Sequence, residues 1–182
     1  MKYLNKNKGF TLIETMMAIL VLSIALVSLL TLISGNLFYS KYIKNEITAN
    51  YLMQEVIDYI RNDRDTTILY GENEDDSSNW DTFLNKYIDA GCFTDGCILD
   101  AKNETIDSCD DSNCDYLKYD SDIQNGNFYN YKYGEDTSFE RIIKMEEGES
   151  SDEIVFTVTV KWKNGNLSKE RSLKSNLTNW YE

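Results

Sequence analysis

Few residue types in this chain can do chemistry, and they are unevenly placed. Four cysteines, Cys92, Cys97, Cys109 and Cys114, form two pairs at C-x4-C spacing. Such thiols can close disulfides, or hold zinc as thiolates, although zinc ligands favour a tighter spacing. Asp107, Asp110, Asp111 and Asp115 crowd the second pair. Their oxygens would suit calcium, yet the spacing is not that of an EF-hand, and acid-rich loops are usually just solvated. A glycosidase needs two carboxylates about 5–9.5 Å apart, which sequence spacing does not supply. Histidine is absent altogether. That removes Ser–His and Cys–His nucleophile pairs and every His-containing zinc site. The expectation is therefore a protein that is not an enzyme and carries no resident cofactor, with calcium the weaker alternative. Trp80, Tyr116, Tyr119, Phe128, Tyr129, Tyr131 and Tyr133 could line a sugar- or surface-binding patch, though such residues more often pack beneath loops. One more group stands out by its surroundings. Glu14 lies inside an apolar run.

The 182 residues suit one domain, or one domain with an appendage. Net charge is −13, and proline is absent. So acidic a chain is a poor partner for nucleic acid, which needs surplus Lys and Arg. Lys161, Lys163, Lys169, Arg171 and Lys174 make a small basic region, diluted by Glu170 and by the acids around it. The polar outer face of a sheet explains it more simply than DNA contact.

The average hides a strong asymmetry. Residues 1–9 carry Lys2, Lys6 and Lys8 and no acid, and no charge occurs from Thr15 to Ser40. A helix from Phe10 to Ile33 is about 36 Å long, enough to cross a hydrocarbon core of about 30 Å. The basic flank places residues 1–9 in the cytoplasm and the rest of the chain outside it. The run exceeds the h-region of a secretory signal, and Ile33-Ser34-Gly35 is a poor cleavage site. A carboxylate at membrane depth costs about 2–3 kcal/mol, so Glu14 calls for a partner.

Lys8-Gly9-Phe10-Thr11-Leu12-Ile13-Glu14 resembles the prepilin signal of type IV pilins and type II secretion pseudopilins. The resemblance implies a leader, residues 1–9, removed by a prepilin peptidase between Gly9 and Phe10. It implies N-methylation of Phe10 and pairing of Glu14 with the amino terminus of a neighbouring subunit. Implied partners are other pilin subunits, the peptidase, the inner-membrane assembly machine, and membrane lipid before assembly. Removing the leader leaves 15 basic and 31 acidic residues, a net −16.

Ala49, Leu52, Met53, Val56, Ile57 and Ile60 form one amphipathic stripe, so a single helix is expected from about Thr11 to Asn62, within a helical region spanning 10–64. Its second half needs a folded head against one face. The stretch from Ala49 to Asn62 resembles minor pilins of the PilV type and the I-type pseudopilin. Residues 65–122 hold 16 acids against Lys86, Lys102 and Lys118 and read as acidic, cysteine-bearing loops. Only a short helix from Trp80 to Ala90, with Phe83, Leu84, Tyr87 and Ile88 as its apolar face, is expected there. Since the head is placed outside the cytoplasm, the cysteines should be oxidised, with short bridges Cys92–Cys97 and Cys109–Cys114 expected over crossed ones. Residues 128–178 read as an antiparallel sheet. Ile154, Phe156, Val158, Val160 and Trp162 alternate with Val155, Thr157, Thr159 and Lys161, Asn164-Gly165 signals a hairpin, and Leu167 to Leu177 returns. Phe139 to Met145 is a further strand, and Tyr129, Tyr131 and Tyr133 begin a fourth. The expected fold class is α+β: a long N-terminal helix on an antiparallel meander within a head spanning 65–182. Phe139-x-Arg141-Ile142, Val158-x-Val160-x-Trp162 and Leu177-Thr178-Asn179-Trp180 also resemble minor-pilin heads. The implied location is the cell membrane, as a single-pass protein, and then a surface pilus or a periplasm-spanning pseudopilus.

Overall fold

A computed structural model describes residues 9–71, 76–110, 114–122, 128–165 and 167–180. The chain divides into two compact units, Met1–Lys44 and Asn45–Glu182. Helix α1 runs from Leu12 to Tyr70 and contributes to both.

In the first unit the helix is apolar all round. Its leucines, isoleucines, valines and methionines are all exposed. Its hydroxyls turn inward instead. Ser23, Ser28, Thr31 and Ser34 each donate to the carbonyl four residues back, at 2.7–3.0 Å. Between Ser23 and Ser34 no side-chain donor then needs water, which is what a helix surrounded by hydrocarbon requires.

In the second unit the stripe Ala49, Leu52, Met53, Val56, Ile57 and Ile60 is buried, as its spacing predicts. The helix does not stop near Asn62 or residue 64, however; it continues to Tyr70. The polar run from Asn62 to Thr67 reads as an end, but tertiary contacts hold it helical. Asp63 accepts from Lys86 Nζ at 2.8 Å and from the buried Tyr87 hydroxyl at 2.8 Å. Arg64 donates to the Thr178 carbonyl at 3.0 Å, and Ile68 is buried. Gly71 follows, where a Cβ would lie 2.5 Å from the Thr67 carbonyl oxygen.

The acidic region is also more ordered than its composition suggests. It contains α2 (Asp76–Asp89) and strands β1 (Cys97–Asp100), β2 (Thr105–Ser108) and β3 (Tyr116–Asp120). The buried face of α2 is Trp80, Phe83 and Tyr87, while Ile88 is exposed. Their rings form a run, with centroids 5.5 and 5.0 Å apart.

Four more strands follow: β4 (Phe128–Asn130), β5 (Glu135–Glu147), β6 (Glu153–Asn164) and β7 (Leu167–Thr178). All seven join one antiparallel sheet. β5, β6 and β7 form the expected meander. The β6–β7 loop has two residues between Asn164 and Leu167, and Gly165 at φ +63° supplies the left-handed start of that turn. The rest departs from a meander. β5 is long enough to take β3 along its first half and Cys97 of β1 at Ile143, with β6 along Glu140–Glu147. β3 therefore sits between β4 and β5. Of the tyrosines expected in the fourth strand, only Tyr129 is in it.

The core lies between the helix stripe, α2 and the inner face of β5 and β6: Phe139, Ile143, Met145, Ile154, Phe156, Val158, Val160 and Trp162. One cation is sealed inside it. Arg141 is 1% exposed and donates to the carbonyls of Leu52 and Leu99, at 3.0 and 2.7 Å, and to Glu55 Oε2 at 2.6 Å. One guanidinium thus joins α1, β1 and β5. Planar, forked donors suit that three-way bridge better than a lysine would.

Candidate functional site

The residues with the sharpest functional expectation lie at the start of α1. Gly9, Phe10 and Thr11 are not helical, and the helix begins at Leu12. The Thr11 carbonyl caps it, accepting from the amides of Glu14 at 3.1 Å and Thr15 at 3.3 Å. The Thr15 hydroxyl donates to the Leu12 carbonyl at 2.8 Å. Glu14 is the acid of the first turn, where its charge faces the positive end of the helix dipole. The Gly9–Phe10 peptide thus lies in exposed, non-helical chain just ahead of the helix, the geometry a protease needs at a bond it cuts. Phe10 is 81% exposed and Glu14 is exposed too. Residues 1–8 lie outside the described residues. Beyond Glu14 the helix surface is a shallow apolar groove lined by Ser23, Ile24, Val27, Ser28, Thr31 and Leu32.

The cysteines form two disulfides, Cys92–Cys97 and Cys109–Cys114, with Cα atoms 4.7 and 4.8 Å apart. The first ties the end of the α2 turn to β1, and the Cys92 carbonyl accepts from Met145 N at 2.8 Å. The second packs with Ile98 and Ile142 in a small apolar cluster separate from the main core.

Asp100, at the end of β1, was not singled out by sequence reasoning, yet it organises the neighbouring loops. Its carboxylate accepts from Lys102 N and Asn103 N at 3.1 Å, from Asn103 Nδ2 at 2.8 Å and from Tyr131 N at 3.0 Å. Burial pushes its pKa up, but these donors outweigh burial and hold it below the ordinary carboxylate value. An Asp followed by a turn is common in sequence; only the long-range Tyr131 amide makes this one different.

The other expected patches are dispersed. Trp80 is buried, Tyr131 is half-buried, and Tyr116 and Tyr133 are exposed. Tyr119, Tyr129, Phe139 and Trp162 form a chain of rings leading into the core, with centroids 5.1, 6.0 and 6.3 Å apart. In the basic region Lys161 faces Glu140 at 3.8 Å, Lys174 faces Glu146 at 3.9 Å, and Arg171 Nε donates to Glu46 at 3.0 Å. Those pairings take much of the cationic field away from a nucleic-acid partner. Among the described residues no three acidic or cysteine side chains come close enough to hold a metal ion; Asp111 lies outside them.

α1 is long and apolar enough to cross a membrane by length and composition. No curated protein and no solved structure matches the chain. Residues 4–30 do match the family model of the prokaryotic N-terminal methylation motif. That match spans Gly9, Phe10, the Thr11 cap and Glu14 together, and it supports a type IV pilin-like or pseudopilin precursor.

Proposed function

We propose that this chain is a structural subunit, a minor pilin, of a type IV pilus-like filament. Its peptidase cuts between Gly9 and Phe10, Phe10 is then N-methylated, and the new amino group pairs with Glu14 of a neighbouring subunit. It performs no chemistry of its own. The single observation behind this reading is the matched motif leading straight into a helix whose leucines, isoleucines, valines and methionines up to Lys44 are all exposed. Leaving that surface in water is costly, at about 25 cal/mol per Å2. Lipid covers it before assembly, with residues 1–9 cytoplasmic and the head outside; neighbouring helices cover it afterwards.

Intact-mass measurement of cell-derived protein tests the proposal. A mature chain starting at Phe10 and carrying one methyl group is expected. Gly9→Val should block the cut, because a β-branched residue resists the close approach of a protease to that bond. A chain still starting at Met1 in assembled material would sink the reading. A pseudopilin of a secretion or DNA-uptake machine makes the same mass prediction. It differs in giving no subunit in filaments sheared from the cell surface. A membrane-anchored binding module that never polymerises would also be missing from that fraction.

A further inference from the structure

The apolar surface of α1 ends in a particular set of residues: Phe38, Tyr39, Lys41, Tyr42 and Lys44. Phe38 and Tyr39 are exposed, as are Lys41 and Lys44. The Tyr39 and Tyr42 rings stack with centroids 6.1 Å apart. Successive helical residues are about 100° apart around the axis. The three aromatics therefore occupy one arc of about 100°, and the two lysines occupy the adjoining arc of about 60°. With the gap of about 60° between the two arcs, the five residues span about 220° of the circumference, and Ser40 and Ile43 occupy the rest. A seam for one neighbouring helix would be a narrower stripe. A partial collar of this width, with ring faces and polar tips, suits a membrane–water interface.

Length agrees with that placement. From Glu14 to Lys41 the helix rises about 40 Å, close to the full thickness of a bilayer with its headgroup regions. Glu14 and Lys41 would thus sit at opposite interfaces. Charge points to the kind of lipid. The rest of the chain is strongly acidic, and Glu46, the next acid along α1, is held by Arg171. Lys41 and Lys44 form a small cationic step between an apolar helix and an acidic head.

We propose that Phe38, Tyr39, Lys41, Tyr42 and Lys44 form an interfacial collar that binds the phosphate headgroups of anionic phospholipids in the leaflet facing the head. The lysine stems lie along the helix and their ammonium groups reach the phosphates. The rings fix the depth of the helix. The collar parks the subunit at one depth until assembly. This inference rests on the reading of α1 as a membrane span.

The test uses the full mature chain in vesicles of phosphatidylcholine and phosphatidylglycerol. Spin-labelled lipids of each kind report, by electron spin resonance, which is held at the protein boundary. Wild type should prefer phosphatidylglycerol about five- to thirtyfold. Lys41→Gln/Lys44→Gln should lose most of that preference, and high salt should weaken it in wild type. The free amine of Phe10 attracts anionic lipid at the other face, so the difference between the two chains is the readout. An inserted wild type and an inserted double variant with equal preferences would overturn the collar and leave the span intact. A chain washed off the vesicles by alkali would overturn the span and the collar together. Unchanged lipid preference with poorer incorporation of the double variant into filaments would assign the lysines to a second copy instead, and would also overturn the proposal.

Discussion

Two carboxylates show how much a residue's role depends on what surrounds it. Glu14 stands in the first turn of a helix that has no other charge until Lys41. In the precursor the Gly9–Phe10 peptide is neutral; the proposed cleavage would give Phe10 a positive amine four residues before Glu14. When a neighbour's amine approaches within about 4 Å, attraction is roughly 4 kcal/mol at an effective dielectric of 20, before desolvation. A net remainder of about 1.4 kcal/mol per subunit is a tenfold effect. Glu14→Ala should therefore leave expression, membrane insertion and the cut intact while lowering the mature chain in sheared filaments about tenfold. Equal amounts of variant and wild type in that fraction would remove Glu14 from assembly. Asp100 works inside the head, where four donors hold its pKa below the ordinary value despite burial. Its folded pKa lies below its unfolded pKa, so its contribution is fully present above about pH 4 and is lost as pH falls through the folded value. Asp100→Asn leaves donors facing donors at Tyr131 and Asn103, which costs about 1–3 kcal/mol at neutral pH. The variant should unfold at lower temperature at pH 7, yet lose less further stability between about pH 5 and pH 2. Parallel acid slopes in thermal unfolding would show that Asp100 is not among the groups that titrate.

Among the elements, the disulfides and short strands share one difficulty: neither region has much core of its own. β1 and β2 have four residues each, and β1 pairs in register with β5 only at Cys97–Ile143. Bridging Cys92 to Cys97 closes a six-residue loop, worth about 2 kcal/mol in the chain-entropy model. The purified protein should show no free thiol until reduced, and peptide mapping should return the two local pairs. Cys109→Ser/Cys114→Ser should lower stability by about 2 kcal/mol and expose Ile98 and Ile142, the partners of that bridge. Four reactive thiols, or stoichiometric zinc, would contradict the bridges and the proposed export of the head. What the sequence reveals follows the same logic of scale. β6 and the stripe from Ala49 to Ile60 are legible because one residue in two, or three or four in seven, is apolar over a long run. The N-terminal segment is legible because its motif is contiguous. β1 to β3 are hidden because short strands in an acid- and turn-rich stretch leave no period to count. The last turns of α1 are hidden because Asp63 and Arg64 are satisfied by residues more than 20 positions away. Arg141 is readable as a member of an apolar face, but its bridge to Leu52 and Leu99 is a product of the fold alone.

At the scale of the whole molecule, burial and exposure divide along the chain. The first buried residue of α1 is Ala49, and the entire core belongs to residues from there onward. Up to Lys44 the described helix buries no residue at all. The two parts therefore obey different solvents. Residues 45–182 hold the sheet, the main core, both disulfides and the internal Arg141 bridge. Residues 12–38 are stable only where lipid or protein replaces water. This division makes a direct prediction. A chain beginning at Asn45 should be soluble and monomeric without detergent, keep both disulfides, and unfold in one cooperative transition. Its midpoint should fall within a few degrees of the head transition of the mature chain in detergent, because little buried surface is removed. The mature chain beginning at Phe10 should precipitate or form large oligomers when detergent is withdrawn. Starting instead at Tyr59 would delete Ala49, Leu52, Met53, Val56 and Ile57 from the core and strand Arg141 without Glu55. Each lost large side chain costs about 2–5 kcal/mol, more in sum than a domain of this size can lose. That shorter chain should not fold. If the Asn45 chain were also unfolded, residues before it would have to contribute to the head, and the boundary drawn by burial would be wrong.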